Sequence, residues 1–236
     1  MLLRAGSSGF SYKEWKGPFY PEKLKDPDML GYYAERLNTV EINNTFYRLP
    51  KAAMLEGWAA KVPDGFRFVL KASRRITHQQ KLKDSADTVS YLFKTAEVLG
   101  ERLGPVLFQL PPYLKKDVAL LRDFLATIPD GRQATIEFRS RSWYDDEVFA
   151  ALKDAGAALC VADHEEDDFG APLLATADWG YLRLRAPDYT DADLASWAAR
   201  IQGQPWSEVY VFFKHEDEGA APKLAVRLNK VFHTTS

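Results

Sequence analysis

Three carboxylates and five cations stand at or near the ends of short apolar runs in this chain: Glu41, Glu137 and Asp163, with Lys71, Arg139, Arg183, Arg185 and Lys214. Sheltered carboxylates move protons or ligate metals, and cations hold anionic groups. The spacing carries as much information as the residue types. Side chains of an extended segment alternate faces. Glu41 therefore shares a side with Asn43, Lys71 with Ser73, Glu137 with Arg139 and Arg183 with Arg185. Their neighbours Val40, Ile42, Leu70, Phe138, Leu182 and Leu184 take the other side and suit packing against helices. The polar set is thus turned inward, where charge is costly unless it is paired or used.

Two readings of that set stand side by side. In the plain one, the acids pair with Lys71, Arg139, Arg183 and Lys214 in a structural ring. In the functional one, Glu41, Glu137 and Asp163 serve as catalytic acid or base, and Lys71, Arg139, Arg183, Arg185 and Lys214 bind the substrate's anion. Aliphatic side chains would fill the same space at lower cost, which favours the functional reading for the set as a whole. Asn43, Gln109 and His78 fall at the same strand ends and join it as substrate-binding candidates. Of the four histidines, His78, His164 and His215 lie in the loops that follow strands, and His233 lies in the tail. None has the HxxxH type of spacing, so each reads as a solvated histidine before it reads as a metal ligand. Aromatic residues crowd the same edge; Trp15, Tyr47 and Trp143 are the candidates for stacking on a base or sugar ring, and Tyr12 joins them as a substrate-binding candidate.

The elements that would position these residues alternate from end to end. Strand-like runs cover Leu2–Ser7, Thr39–Ile42, Phe66–Lys71, Pro105–Leu110, Gln133–Phe138, Ala158–Asp163, Gly180–Arg185 and Val209–Lys214. Between most of them the apolar period lengthens to that of a helix. One stripe carries Val89, Leu92, Phe93, Ala96 and Leu99 up to Gly100; another carries Val118, Leu121, Phe124, Leu125 and Ile128 behind Asp117, an N-cap type. Val148, Phe149 and Leu152 run to Gly156, and Leu194, Trp197, Ala198 and Ile201 run to Gly203 with Thr190 and Asp193 placed to start the helix. Leu224, Leu228, Val231 and Phe232 mark the final stripe. Strand–helix alternation implies a parallel sheet. Eight units point to a TIM-type (β/α)8 barrel spanning residues 1–236 as one domain. An open doubly wound sheet is the alternative, but the glycine-rich phosphate loop it favours after the first strand is missing. His164 to Asp178 carries acids, Gly170 and Pro172 without a helical stripe, so a loop is expected in place of the sixth helix.

Bulk composition bounds the partners. The 236 residues carry a net charge of -2, which argues against a general polyanion binder while leaving room for a local basic patch. The single cysteine, Cys160, sits in an apolar run and reads as a buried, inert thiol in a reducing compartment. The first nine residues resemble neither a signal nor a transit peptide, and no run approaches a membrane span of ~20 apolar residues. A cytoplasmic location is expected.

At the strand ends the sequence also resembles a known family. Ser8-Gly9-Phe10-Ser11-Tyr12 followed by Trp15, Gly17 and Phe19-Tyr20-Pro21, then Val40-Glu41-Ile42-Asn43-Asn44-Thr45-Phe46-Tyr47, is similar to the YecE-like domain-of-unknown-function family 72. Phe68 to Lys71, Ile76-Thr77-His78, Leu107-Phe108-Gln109-Leu110-Pro111-Pro112, Glu137-Phe138-Arg139, Ser142-Trp143 and Phe212-Phe213-Lys214 continue the match over nearly the whole chain. The resemblance implies a barrel and supplies no activity. Barrels of this layout also include endonuclease IV and sugar-isomerase types, which hold divalent metals at strand ends; Arg183, Arg185 and Lys214 depart from that pattern because they repel a cation. The expectation is a hydrolase-like enzyme for a phosphate-bearing or other anionic substrate, with a nucleotide or nucleic acid among the candidates. The alternatives are a metal-dependent enzyme using Glu137, Asp163 and a histidine, and a non-catalytic binder of nucleic acid or a small acid.

Overall fold

The structure is a computed structural model that describes residues 1–163, 171–186, 188–214 and 217–234. Eight strands pair in parallel: β1 (Leu2–Ser7), β2 (Thr39–Ile42), β3 (Arg67–Lys71), β4 (Leu103–Gln109), β5 (Ala134–Glu137), β6 (Ala158–Asp163), β7 (Trp179–Leu184) and β8 (Glu208–Phe213). Their spatial order, β1-β8-β7-β6-β5-β4-β3-β2, leaves β1 and β2 as the two edges. Those edges meet. Ser8 bridges to Glu41, the Gly9 N–H donates to the Glu41 carbonyl at 2.8 Å, and the sheet becomes a nearly closed barrel. The open doubly wound alternative is thereby excluded.

The seam between β1 and β2 has particular chemistry. The Tyr33 hydroxyl accepts the Ser7 N–H at 2.9 Å and donates to the Thr39 carbonyl at 3.0 Å, so one buried phenol replaces missing ladder bonds. Gly6 permits the approach: a Cβ there would lie 2.3 Å from the Thr39 carbonyl oxygen.

Helices cross between the strands: α1 (Met29–Ala34), α2 (Asn44–Tyr47), α3 (Ala52–Ala59), α4 (Ala86–Ala96), α5 (Val118–Leu125), α6 (Asp146–Asp154), α7 (Asp191–Gln202) and α8 (Ala220–Thr234). The Asp117 side chain accepts from the Leu120 N–H, and Thr190 with Asp193 forms a reciprocal capping box at the start of α7. Gly100 and Gly156 adopt the positive φ that ends their helices. No helix occupies 171–178, in keeping with the loop expected there; residues 164–170, the rest of that stretch, lie outside the described residues.

Two apolar clusters pack the outer face of the sheet against the helices, and a third fills the barrel with Val69, Leu107, Cys160, Tyr181, Tyr210 and Phe212. Burial pushes the Cys160 thiol well up, which makes it inert as expected. Among the described residues no helix is long and apolar enough to cross a membrane.

Candidate functional site

Alternation along the strands delivers the expected convergence, and Arg183 lies at its centre. It occupies the inward parity of β7, level with Ala162 of β6 and Phe212 of β8, and is 1% exposed. Its Nη1 donates to Glu137 Oε2 at 2.6 Å and its Nη2 to Glu41 Oε1 at 2.8 Å. Glu41 also accepts from the Ser8 hydroxyl at 2.7 Å and the Tyr181 hydroxyl at 2.6 Å. The second oxygen of Glu137 accepts from Gln109 Nε2 at 2.8 Å and Arg139 Nη1 at 3.1 Å, with Arg185 Nη2 at 3.8 Å. Gln109 turns its own oxygen to Lys71 Nζ at 2.7 Å. Residues from β2, β3, β4, β5 and β7, with Ser8 just past β1, thus form one connected network at the C-terminal end of the barrel, where barrels of this kind place their chemistry.

The electrostatics follow from those contacts. Burial, the largest single influence on Glu41, would raise its carboxyl; Arg183 and the hydroxyls of Tyr181 and Ser8 outweigh it and hold the group below the usual carboxylate range. Burial opposes ionisation of Glu137 as well, but Arg183, Gln109, Arg139 and Lys71 bring it to about 2. Both acids are therefore anions locked to a guanidinium. Lys71 moves the other way: burial and the neighbouring Arg183 and Lys214 outweigh Glu41 and Glu137 and lower it to about 8. Burial, with Lys71 and Arg74 nearby, also lowers His78.

The rim around this network is cationic. Among the described residues the network joins Lys71, Arg139, Arg183 and Arg185 to the carboxylates of Glu41 and Glu137, and Lys214 is exposed just past β8. The Lys71 ammonium also lies 4.3 Å from the centroid of the Phe46 ring, whose edge meets His78 with centroids 5.1 Å apart. Beside the network, a pocket of about 250 Å³ opens between the loops after β1 and β2, lined by Phe10, Tyr12, Asn43, Asn44 and Trp58. Trp58 escapes the strand-end pattern because α3 carries it. A larger groove of about 440 Å³ lies beside α5 and α6, where Arg122 and Asp154 pair in the open; it has no connection with the network.

Several expected site residues are placed elsewhere. Asp163 pairs in register with Leu184, one residue off the parity of Arg183, and so does not join Glu41 and Glu137. Its carboxylate accepts the Arg185 N–H and the Tyr189 hydroxyl, each at 2.5 Å, and ties down the chain after β7. Trp15 and Trp143 are 1% and 0% exposed, which removes them as stacking surfaces. Trp143 stacks on Phe138 and donates its indole N–H to the Leu114 carbonyl at 2.7 Å. Tyr47 is 71% exposed, and Tyr12 lines the pocket while its hydroxyl donates to the Ser8 carbonyl. His78 bonds Thr77 through Nδ1 at 2.8 Å. His164 and His215 lie outside the described residues. Ser8, at the end of the first apolar run, and Tyr181, two residues before Arg183 on the same face, complete the shell of Glu41.

Among the described residues no group of three or more His, Cys, Asp or Glu side chains is arranged to hold a metal.

Comparison with known proteins gives a consistent assignment. Residues 4–236 match the family model described as "Protein of unknown function DUF72". The "UPF0759 protein YunF" of Bacillus subtilis (strain 168) is 25% identical over 217 residues, covering 84% of this chain and 74% of that protein. The "UPF0759 protein YecE" of Escherichia coli (strain K12) is 31% identical over 113 residues, covering 48% of this chain and 42% of that protein. The crystal structure of a DUF72 family protein from Thermotoga maritima superposes with a TM-score of 0.85 at 26% identity, over 99% of this chain and 100% of the other. A DUF72 family protein from Enterococcus faecalis gives 0.84 at 21% identity over 98% and 96%, a likeness of fold alone.

Proposed function

The chain belongs to the DUF72 family of proteins of unknown function, and from that premise we propose that its barrel mouth binds a small anion-bearing molecule and acts on it as an enzyme. One observation carries the reading. Among the described residues Lys71, 9% exposed, has one polar partner, a neutral amide, and no carboxylate in ion-pair contact. A nearly buried ammonium so sparsely partnered is costly unless a ligand completes it. Lys214 near it, with Arg139 and Arg185 at Glu137 in the same network, supplies the further positive charge that an anionic group would meet. Because these cations line the inside of a barrel mouth rather than an exposed stripe, the reading favours a small molecule over nucleic acid.

Glu41 and Glu137 are then positioning residues. Arg183 and the donors around it hold both carboxyls below the usual carboxylate range, Glu137 at about 2, which suits them to fixing cations better than to donating or taking a proton. Their work is to fix Arg183 and, through Gln109, to aim Lys71. Calorimetric titration with inorganic phosphate tests the reading. Lys71→Met and Arg185→Met should each weaken binding about ten-fold or more, the scale of a charged hydrogen bond. Undetectable binding to the unaltered protein, or unchanged affinity in both variants, overturns it.

A further inference from the structure

We propose that Lys71 is a nucleophile that forms an imine with a carbonyl compound whose anionic group is held by the surrounding cations. The inference rests on the anion-binding reading above and adds both the substrate's reactive group and the covalent step.

Four features support it. Lys71 is nine-tenths buried at the end of β3, and its amine is held in place by Gln109 at 2.7 Å. The ring of Phe46 covers another side at 4.3 Å, which limits access by water. The short helix α2 that carries Phe46 is itself fixed, since the Thr45 hydroxyl donates to the Lys71 carbonyl at 2.7 Å. Cations press on the amine from β7 and β8, so its charged form is disfavoured. The groups acting on it are Arg183 and Lys214, which oppose its charge, and Glu41 and Glu137, which favour it; His78 stands beyond Phe46. The balance brings the amine to about 8, well within reach of its neutral, nucleophilic form.

The step balances without a redox partner. The neutral amine adds to the carbonyl carbon, the new C–N bond forms, and the C–O bond of the resulting carbinolamine breaks. The oxygen leaves as water with both amine hydrogens, and the C=N bond remains. Two sources share the required chemistry, a 2-oxo acid and a phosphorylated ketone. Both place an anion within a few bonds of a carbonyl.

Reductive trapping decides the matter. The full chain is incubated with cyanoborohydride and either pyruvate, dihydroxyacetone phosphate or acetone, and adducts are located by peptide mass spectrometry. Pyruvate or dihydroxyacetone phosphate should mark Lys71 at least ten-fold faster than any surface lysine, and whichever of the two dominates identifies the source. The rate should rise with pH up to a midpoint near 8. Lys71→Arg lacks the amine nucleophile, so it should abolish the adduct, while a thermal unfolding midpoint close to that of the natural protein shows that the variant folds. Phosphate binding without a Lys71 adduct overturns the imine alone. Marking by acetone as fast as by the anions keeps the imine and overturns the anion reading. Absence of both adduct and phosphate binding overturns both.

Discussion

The guanidinium of Arg183 is 2.6 Å from one oxygen of Glu137, and both side chains are all but absent from the protein surface. A second carboxylate, Glu41, meets the same guanidinium 2.8 Å away. One cation is therefore shared by two acids, one from β2 and one from β5, and both acids are held as anions at neutral pH. Removing one member leaves its partners charged in a dry site.

The first expectation concerns that triad. Glu137→Gln should destabilise the fold by about 3–5 kcal/mol, the scale of a broken buried ion pair. Arg183→Met should cost more, because it strands two carboxylates. Adding Glu41→Gln and Glu137→Gln to Arg183→Met should recover part of the loss, since the two stranded carboxylates are then gone. Urea unfolding at pH 7 measures each value. Strict additivity would mean that the three side chains do not act together.

Acid should act on the same group. Glu137 has its ordinary value near 4.5 when unfolded and about 2 when folded. Its stabilisation is complete above the unfolded value and is lost as pH falls from there towards 2. Unfolding midpoints measured from pH 7 to pH 2.5 should therefore drop more steeply in the natural protein than in Glu137→Gln. Parallel curves would contradict the lowered folded value.

The aromatic residues separate by burial. Trp143→Ala removes a stacked, fully buried indole and its hydrogen bond, and should cost about 3–5 kcal/mol. Tyr47→Ala, at an exposed position, should stay within about 0.5 kcal/mol. Thermal unfolding of the two variants makes the comparison.

At the seam, Tyr33→Phe deletes the hydroxyl that joins Ser7 to Thr39 and leaves a buried N–H and carbonyl unpaired. The loss should be about 1–3 kcal/mol. Amide exchange should accelerate at Ser7 and its β1 and β2 neighbours before it does in β6 to β8. Uniform acceleration around the barrel would show that the phenol does not close the seam.

Much of this arrangement was legible before any coordinates. Period-two alternation placed Glu41, Glu137 and Arg183 on one interior face because the residues between them, such as Val40, Ile42, Phe138 and Leu182, had to pack outward. β1, β2 and β6 coincide with the apolar runs that announced them, and Thr190 with Asp193 announced the start of α7. What escaped was contact across strands. Sequence spacing fixes a residue's parity within its own strand, not which partner stands opposite, so the sharing of Arg183 by two acids and the bridging role of Gln109 were invisible. Asp163 failed for a related reason: at a strand's end it was counted with the interior set although its parity, one step from Ala162, turns it towards Tyr189. Trp15 and Trp143 failed because residue type marks a stacking surface only if the loop leaves the ring exposed, and both rings are used to anchor their loops.

The central claim is that the cationic mouth, with Lys71 at its heart, is built to receive an anion. A crystal of the protein soaked in tungstate tests it most directly, because the metal's anomalous signal locates the anion without ambiguity. The predicted result is a peak within hydrogen-bonding distance of Lys71 Nζ and of Arg139 or Arg185, absent in Lys71→Met crystals. Tungstate bound only at outer surfaces, with the mouth left to water, would contradict the account.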